Sequence, residues 1–246
     1  MVETAIQMYT LRNLDEPLPT VLERVGETDF NGVEFAFAVA DADLDAVVDT
    51  LDRTGLAVAG VLVSREQLEE SMKETIEVTD RLGCDTIGLS WLGPEHFESV
   101  EAVERIADLL TDFGDRLNDR DRRFLYHNHD QEFTDLGDES AYDLLVEAVG
   151  DSVRFELDVG WALAGGHDPV ELLKRLAGRT PLVHMKDTDA ARAVPVEIGN
   201  GDVDMDACAR AAREGGAEWL VYEHDFPDFP VRSLEHGGEA LSKLRG

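Results

Sequence analysis

Apolar residues recur along this chain in two alternating modes. Short runs rich in β-branched and aromatic residues come first: Ala5-Ile6-Gln7-Met8-Tyr9, Gly32-Val33-Glu34-Phe35, Ala57 to Leu62, Thr86 to Leu89, Phe124 to His127, Val153 to Leu157, Leu182 to Met185, and Trp219 to Tyr222. Each has the length and composition of a strand. Between them, apolar residues fall at helical spacing, as in Val100, Val103, Ile106 and Leu110. Start signals support the helices. Ser64 stands three residues before Gln67, the spacing of a capping box, and Pro94 sits where a helix would begin. Asp168-Pro169 opens another helix, and Gly178 stops it.

Strands alternating with helices predict parallel strands joined by crossovers. Eight such units suit a closed α/β barrel, a (β/α)8 TIM barrel, as a single domain over residues 1–246. A doubly wound open sheet is the alternative, but no GxGxxG turn follows the first strand. The longest irregular stretch, Asp187 to Asp202, would lie on the C-terminal face of a barrel, where substrates bind.

Composition adds a strong constraint. The formal charge is −31, the sequence pI about 4.3, and only four lysines occur: Lys73, Lys174, Lys186 and Lys243. Acidic residues are spread over the whole chain. That pattern repels nucleic acid and suits a carboxylate-rich, halophilic surface in a salt-loaded cytoplasm, where screening shortens self-repulsion. No apolar run approaches the roughly 20 residues of a membrane span. Met1-Val2-Glu3-Thr4 has no secretory pattern, so a cytoplasmic protein is expected. Cys84 and Cys208 lie far apart in apolar surroundings and read as reduced packing residues.

Candidate chemistry sits at strand ends. Asp158 closes the sixth strand, His184 lies in the seventh, and Glu223 follows the eighth. Singly, each has an ordinary reading: a helix cap, a core histidine, a solvated strand end. Their recurrence on successive strand ends points instead to convergence on one ion. Two carboxylates and an imidazole, with no cysteine, favour Mn²⁺, Mg²⁺, Co²⁺ or Zn²⁺ over soft metals. A fourth ligand should come from the fifth-strand region, through Glu132, His129 or His127.

Gln7 to Arg12, Gly32-Val33-Glu34, Tyr126 to Phe133, Leu157 to Trp161, His184 to Asp187 and Gly199 to Asp202 together resemble the sugar phosphate isomerase/epimerase family. This is the xylose isomerase-like TIM-barrel superfamily, which also holds inosose dehydratases, ketose epimerases and endonuclease IV. The resemblance runs from about Thr4 to Asp225. It implies one divalent cation, Mn²⁺ first among the choices, held by Glu, Asp, His and Glu. Asp158, His184 and Glu223 match the last three positions. At the first, Tyr126-His127 stands where the epimerases carry a glutamate, and Glu132 is taken as the ligand by its charge. The two-glutamate proton transfer of the epimerases therefore does not carry over directly.

The expected activity is that of an isomerase or epimerase of a small sugar, sugar phosphate or keto-polyol, working by an enediolate-type proton transfer. His127 or His129 would serve as base on one side and Glu223 on the other, with Lys186 stabilising an oxyanion or gripping a hydroxyl. Tyr9, Glu34, Asn128 and Trp161 are the expected substrate contacts, Trp161 as an apolar wall. The His127-Asn128-His129 motif favours an inosose dehydratase-like lyase as the second reading. The missing strand-five glutamate motivates a third, a non-catalytic sugar-binding barrel. Dimers are frequent among similar proteins, and a homodimer is the oligomer the resemblance implies.

Overall fold

The computed structural model describes residues 2–36, 39 and 42–246; Met1, first of the stretch read for a leader, lies outside them. Eight parallel strands close into a barrel: β1 (Glu3–Gln7), β2 (Gly32–Ala36), β3 (Ala57–Val63), β4 (Thr86–Leu89), β5 (Arg123–His127), β6 (Val153–Asp158), β7 (Leu182–Met185) and β10 (Trp219–Tyr222). Helices follow the strands and cover the barrel, so the expected closed barrel forms and the open sheet does not. Two short strands, β8 (Asp187–Asp189) and β9 (Val194–Val196), pair as a separate antiparallel hairpin.

Outward-facing apolar residues of the strands pack against the helices in one large core, which includes Val33, Phe35, Leu110, Phe113, Phe124, Phe155 and Leu241. The barrel interior is different. Ala5, Ala59, Leu125, Leu182 and Val221 form a small apolar cluster of their own, with Trp219 against it. Side chains two apart on a strand share a face. Two residues beyond Ala5, Leu125, Leu182 and Val221, the same inward face therefore presents Gln7, His127, His184 and Glu223. The interior passes from greasy to ionisable in one step of the pleat. Strand register preserves this level, with His127 opposite Glu156 and Asp158 opposite His184. Gly60 makes room at one point, since a Cβ there would stand 3.0 Å from Glu34 Oε1 and 3.3 Å from Leu182 Cδ2.

Local signals act largely where the sequence places them. Ser64 and Gln67 form a reciprocal capping box, with bonds of 3.2 and 2.9 Å. Asp168 caps Pro169–Arg175. Three details differ. β1 ends at Gln7, because the Gln7 side chain accepts from Tyr9 N–H (3.0 Å) and starts a 3-10 turn over Met8–Leu11. Tyr9 thus lies beyond the strand. Pro94 begins only a 3-10 turn, and the long helix Val100–Asn118 starts at its own cap, Ser99.

The stretch read as irregular after Asp187 contains the β8–β9 hairpin. Asp187 organises its return: Oδ2 accepts from the N–H of Gly199 (2.8 Å) and Gly201 (2.9 Å), and Oδ1 from Thr188 (2.9 Å) and Val203 (3.2 Å). Gly199 has φ +88°, a conformation open to glycine at little cost. Among the described residues, no helix is long and apolar enough to cross a membrane.

Candidate metal centre

Strand ends β5, β6, β7 and β10 bring His127, Asp158, His184 and Glu223 together inside the barrel mouth. Each offers a ligand atom, all four lie within 4.8 Å of one another, and all are buried. A second buried group, Glu34, Glu156 and His184, lies on the other side of the His184 ring. His184 Nδ1 is 2.8 Å from Glu223, and its Nε2 is 2.7 Å from Glu34 and 3.2 Å from Glu156. His127 Nδ1 is 3.0 Å from Glu156.

Asp158 performs two tasks with two oxygens. Oδ1 accepts from Trp161 N–H (2.9 Å) and so caps the following helix, while Oδ2 lies 3.0 Å from Lys186 Nζ. Lys186 is fully buried and also lies 3.0 Å from Glu223 and 2.8 Å from Asp225. One ammonium thus faces three carboxylates.

The charge balance is the most telling property of the site. Glu34, Glu156, Asp158, Glu223 and Asp225 are five buried carboxylates, set against Lys186 and the histidines. Buried charges need partners, because desolvation otherwise drives them neutral. Burial, and then the charge of Glu34, pushes the Glu156 carboxyl well above its ordinary value. Burial likewise raises Asp158, although Lys186 pulls it back. Burial opposes the charge on His184, yet the Glu156 and Glu34 carboxylates hold that imidazole well above its usual range. For Glu223, burial is outweighed by Lys186 and His184, and the group stays ionised. Glu34 Oε1 and Glu156 Oε1 are buried and accept no hydrogen bond, and Asp158 Oδ2 has the Lys186 ammonium beside it without a well-aligned hydrogen bond. A hard divalent cation suits such an acceptor-rich pocket, so the residues present fit one.

The other expected site residues fall into place unevenly. His129 lines the cavity, its ring stacked on Trp161 at 5.8 Å, and burial, then Lys186, lowers its pKa to about 3. His127 is also held well below its usual range, by burial first and then by His184. Burial thus favours the neutral form of both rings. Trp161 lines that cavity too, with Lys186 Nζ 4.9 Å from its ring centroid. Tyr9 lines the same cavity, of about 350 Å³, together with Trp91 and Phe226. Asn128 is turned inward: its Oδ1 accepts from Asp158 N–H (3.0 Å), which ties β5 to β6. Glu34 reaches His184 rather than lining the cavity.

Glu132 does not join the four-residue cluster. One of its oxygens accepts from Tyr126 Oη at 2.5 Å and the other from His129 N–H at 3.0 Å. Burial raises its pKa to about 7, against the pull of these bonds.

Glu156 is a site residue that the strand-end pattern does not single out, although its side chain shares the inward face with Asp158. The signal was the i, i+2 spacing in β6, which also links His184 to Lys186 and Glu223 to Asp225. Gln7 carried no such signal. It donates to Glu34 Oε2 at 2.6 Å and steadies that carboxylate.

Comparison with known proteins agrees with this architecture. Residues 22–244 match the model of the xylose isomerase-like TIM barrel family. A sugar phosphate isomerase/epimerase from Parabacteroides distasonis superposes with a TM-score of 0.83 at 19% identity, covering 100% of this chain and 94% of that one. A probable 3-DHS dehydratase from Bacillus anthracis gives 0.76 at 14% identity, covering 98% and 99%. At this identity both likenesses speak for the fold alone. An inosose dehydratase from Geobacillus kaustophilus is 36% identical over 89 residues, which span 36% of this chain and 26% of that protein.

Proposed function

Since this chain belongs to the xylose isomerase-like TIM barrel family, we propose that it is a divalent-metal-dependent enzyme that moves a proton beside the carbonyl of a small sugar or keto-polyol, as an isomerase or epimerase. The observation that carries this reading is the convergence of His127, Asp158, His184 and Glu223 within 4.8 Å, buried among excess carboxylates. These four would hold the ion, with His127 supplying the fifth-strand ligand. When bound, the ion would act as a Lewis acid on a carbonyl oxygen.

The chain's own residues divide the remaining work. Glu223, kept ionised by Lys186 and His184, is available to accept a proton on one side of the cavity. On the other side His129 is neutral, and its Nδ1 has no hydrogen-bond partner within the protein. General-base assistance of this kind contributes about 10²–10⁴-fold. Lys186 keeps the carboxylates charged, its ammonium being held by Asp158, Glu223 and Asp225 behind the cavity wall. Trp161, Trp91 and Tyr9 give apolar faces for the C–H side of a substrate and exclude water from it.

Two neutral histidines on the cavity wall also suit elimination of water beside a ketone, and the partial similarity to an inosose dehydratase favours that second reading. A turnover screen of ketoses and keto-inositols with Mn²⁺ in D₂O separates the two. An isomerase keeps substrate mass apart from exchanged deuterium, whereas a lyase product lacks one water. Binding of Mn²⁺ without turnover of any compound would leave only a sugar-binding barrel.

A further inference from the structure

A second and larger cavity, of about 560 Å³, lies beside the barrel mouth, between the β8–β9 hairpin and the helix Pro230–Leu244. It belongs to no part of the metal centre. Its connection to that centre is the chain segment after β10, whose side chains alternate. Glu223 and Asp225 line the barrel cavity, His224 lines the side cavity, and Phe226 lines both. Both volumes fall in the range of about 300–1,000 Å³ usual for small-molecule sites.

The side cavity has a prepared polar wall. Glu197 is anchored through Oε2, which accepts from Tyr222 Oη (3.0 Å) and Ser233 Oγ (3.1 Å). Its Oε1 lies 3.8 Å from His224 Nε2, too far for a hydrogen bond. The buried His224 ring accepts from Phe226 N–H at Nδ1 (3.3 Å), so in its neutral form the proton sits on Nε2. An acceptor and a donor therefore stand side by side without satisfying each other.

The cavity also has an aromatic lining. Phe226 and Phe229 are 69% and 63% exposed, and the Arg232 guanidinium lies 5.1 Å from the Phe229 ring centroid. Exposed phenylalanines beside unsatisfied polar groups are characteristic of a surface that meets a ligand with both apolar faces and hydroxyls. Glu197 and Asp228 outnumber Arg232, which disfavours an anion.

We infer that the side cavity is a subsite for the second ring of a neutral glycoside whose reacting ring occupies the barrel cavity, with Phe226 between the two rings. Glu197 and His224 receive its hydroxyls, and Phe229 receives its apolar face. The inference deepens the proposed function and rests on it for the position of the reacting ring.

Calorimetric titration of the Mn²⁺-loaded protein with D-glucose, D-fructose and D-galactose, beside maltose, trehalose, turanose and lactose, tests it. At least one disaccharide should bind ten-fold or more tightly than either of its component sugars, and Phe229→Ala and Glu197→Gln should each remove most of that gain. Disaccharides that bind no better than their components, or a gain that survives both substitutions, overturn the subsite. Failure of the barrel reading shows differently, as sugar binding that is indifferent to Asp158→Asn.

Discussion

His184 Nε2 lies 2.7 Å from the Glu34 carboxylate, a contact that crosses the barrel interior from β7 to β2. The other ring nitrogen faces Glu223 and Asp158, so Glu34 sets the orientation and basicity of the imidazole from behind. Partners of this kind typically change metal affinity by about 10–100-fold when removed. Glu34→Gln should therefore weaken Mn²⁺ binding by about that factor in a calorimetric titration, while circular dichroism shows an intact barrel.

Lys186 holds three buried carboxylates together. Removing one partner of a buried ion pair costs about 3–5 kcal/mol, because the remaining charge is left uncompensated. Lys186→Met should lose stability on that scale in urea denaturation with chelator present. Saturating Mn²⁺ should recover part of the loss, since the ion replaces the missing positive charge. Equal losses with and without Mn²⁺ would mean that no cation reaches these carboxylates.

Glu132 provides a pH signature. Its pKa is raised from the ordinary 4.5 to about 7, chiefly by burial. The fold therefore favours the protonated form. That contribution is complete below about pH 4.5 and is lost as pH rises through about 7, amounting to about 3 kcal/mol for this displacement. Glu132→Gln is neutral at every pH. Relative to the wild type it should gain about 3 kcal/mol between pH 4.5 and pH 8 in chelator-treated samples, by denaturant titration at both ends. A constant difference across that range would show that folding leaves the Glu132 pKa unraised.

Cys84 and Cys208 are buried thiols whose pKa values burial pushes up to about 12. At pH 8 the thiolate fraction is on the order of 10⁻⁴, so the native protein should react with an aromatic disulfide reagent only on the timescale of unfolding. In denaturant both thiols should titrate at once. Rapid reaction of one native thiol would contradict the packing described for it.

Much of this architecture was legible in the chain. Alternation of short β-rich runs with helical spacing placed all eight barrel strands, because each strand is buried on both faces, by helices outside and by the packed interior inside, and so reads as a nearly continuous apolar run. Asp158, His184 and Glu223 were legible because charged groups closing apolar runs are conspicuous. The fifth-strand contribution was harder. Glu132 and His127 both follow from the sequence as ligand candidates, and only the chain path decides that Glu132 turns back to Tyr126 and His129. Glu156 shows the limit from the other side. Its i, i+2 spacing from Asp158 puts both on one face, but a glutamate inside an apolar run does not close a strand and so does not stand out as the strand-end residues do. The hairpin after β7 depends on Asp187 gathering four backbone N–H groups from residues up to 16 positions away, and composition is silent about that closure.

On the proposed reading, one divalent cation sits among His127, Asp158, His184 and Glu223. Anomalous diffraction from a crystal grown with Mn²⁺ tests it most directly. A single strong peak is expected inside the barrel mouth, within about 2.0–2.4 Å of one atom from each of the four residues. Absence of a peak there, or an ion held instead by Glu132, would contradict it.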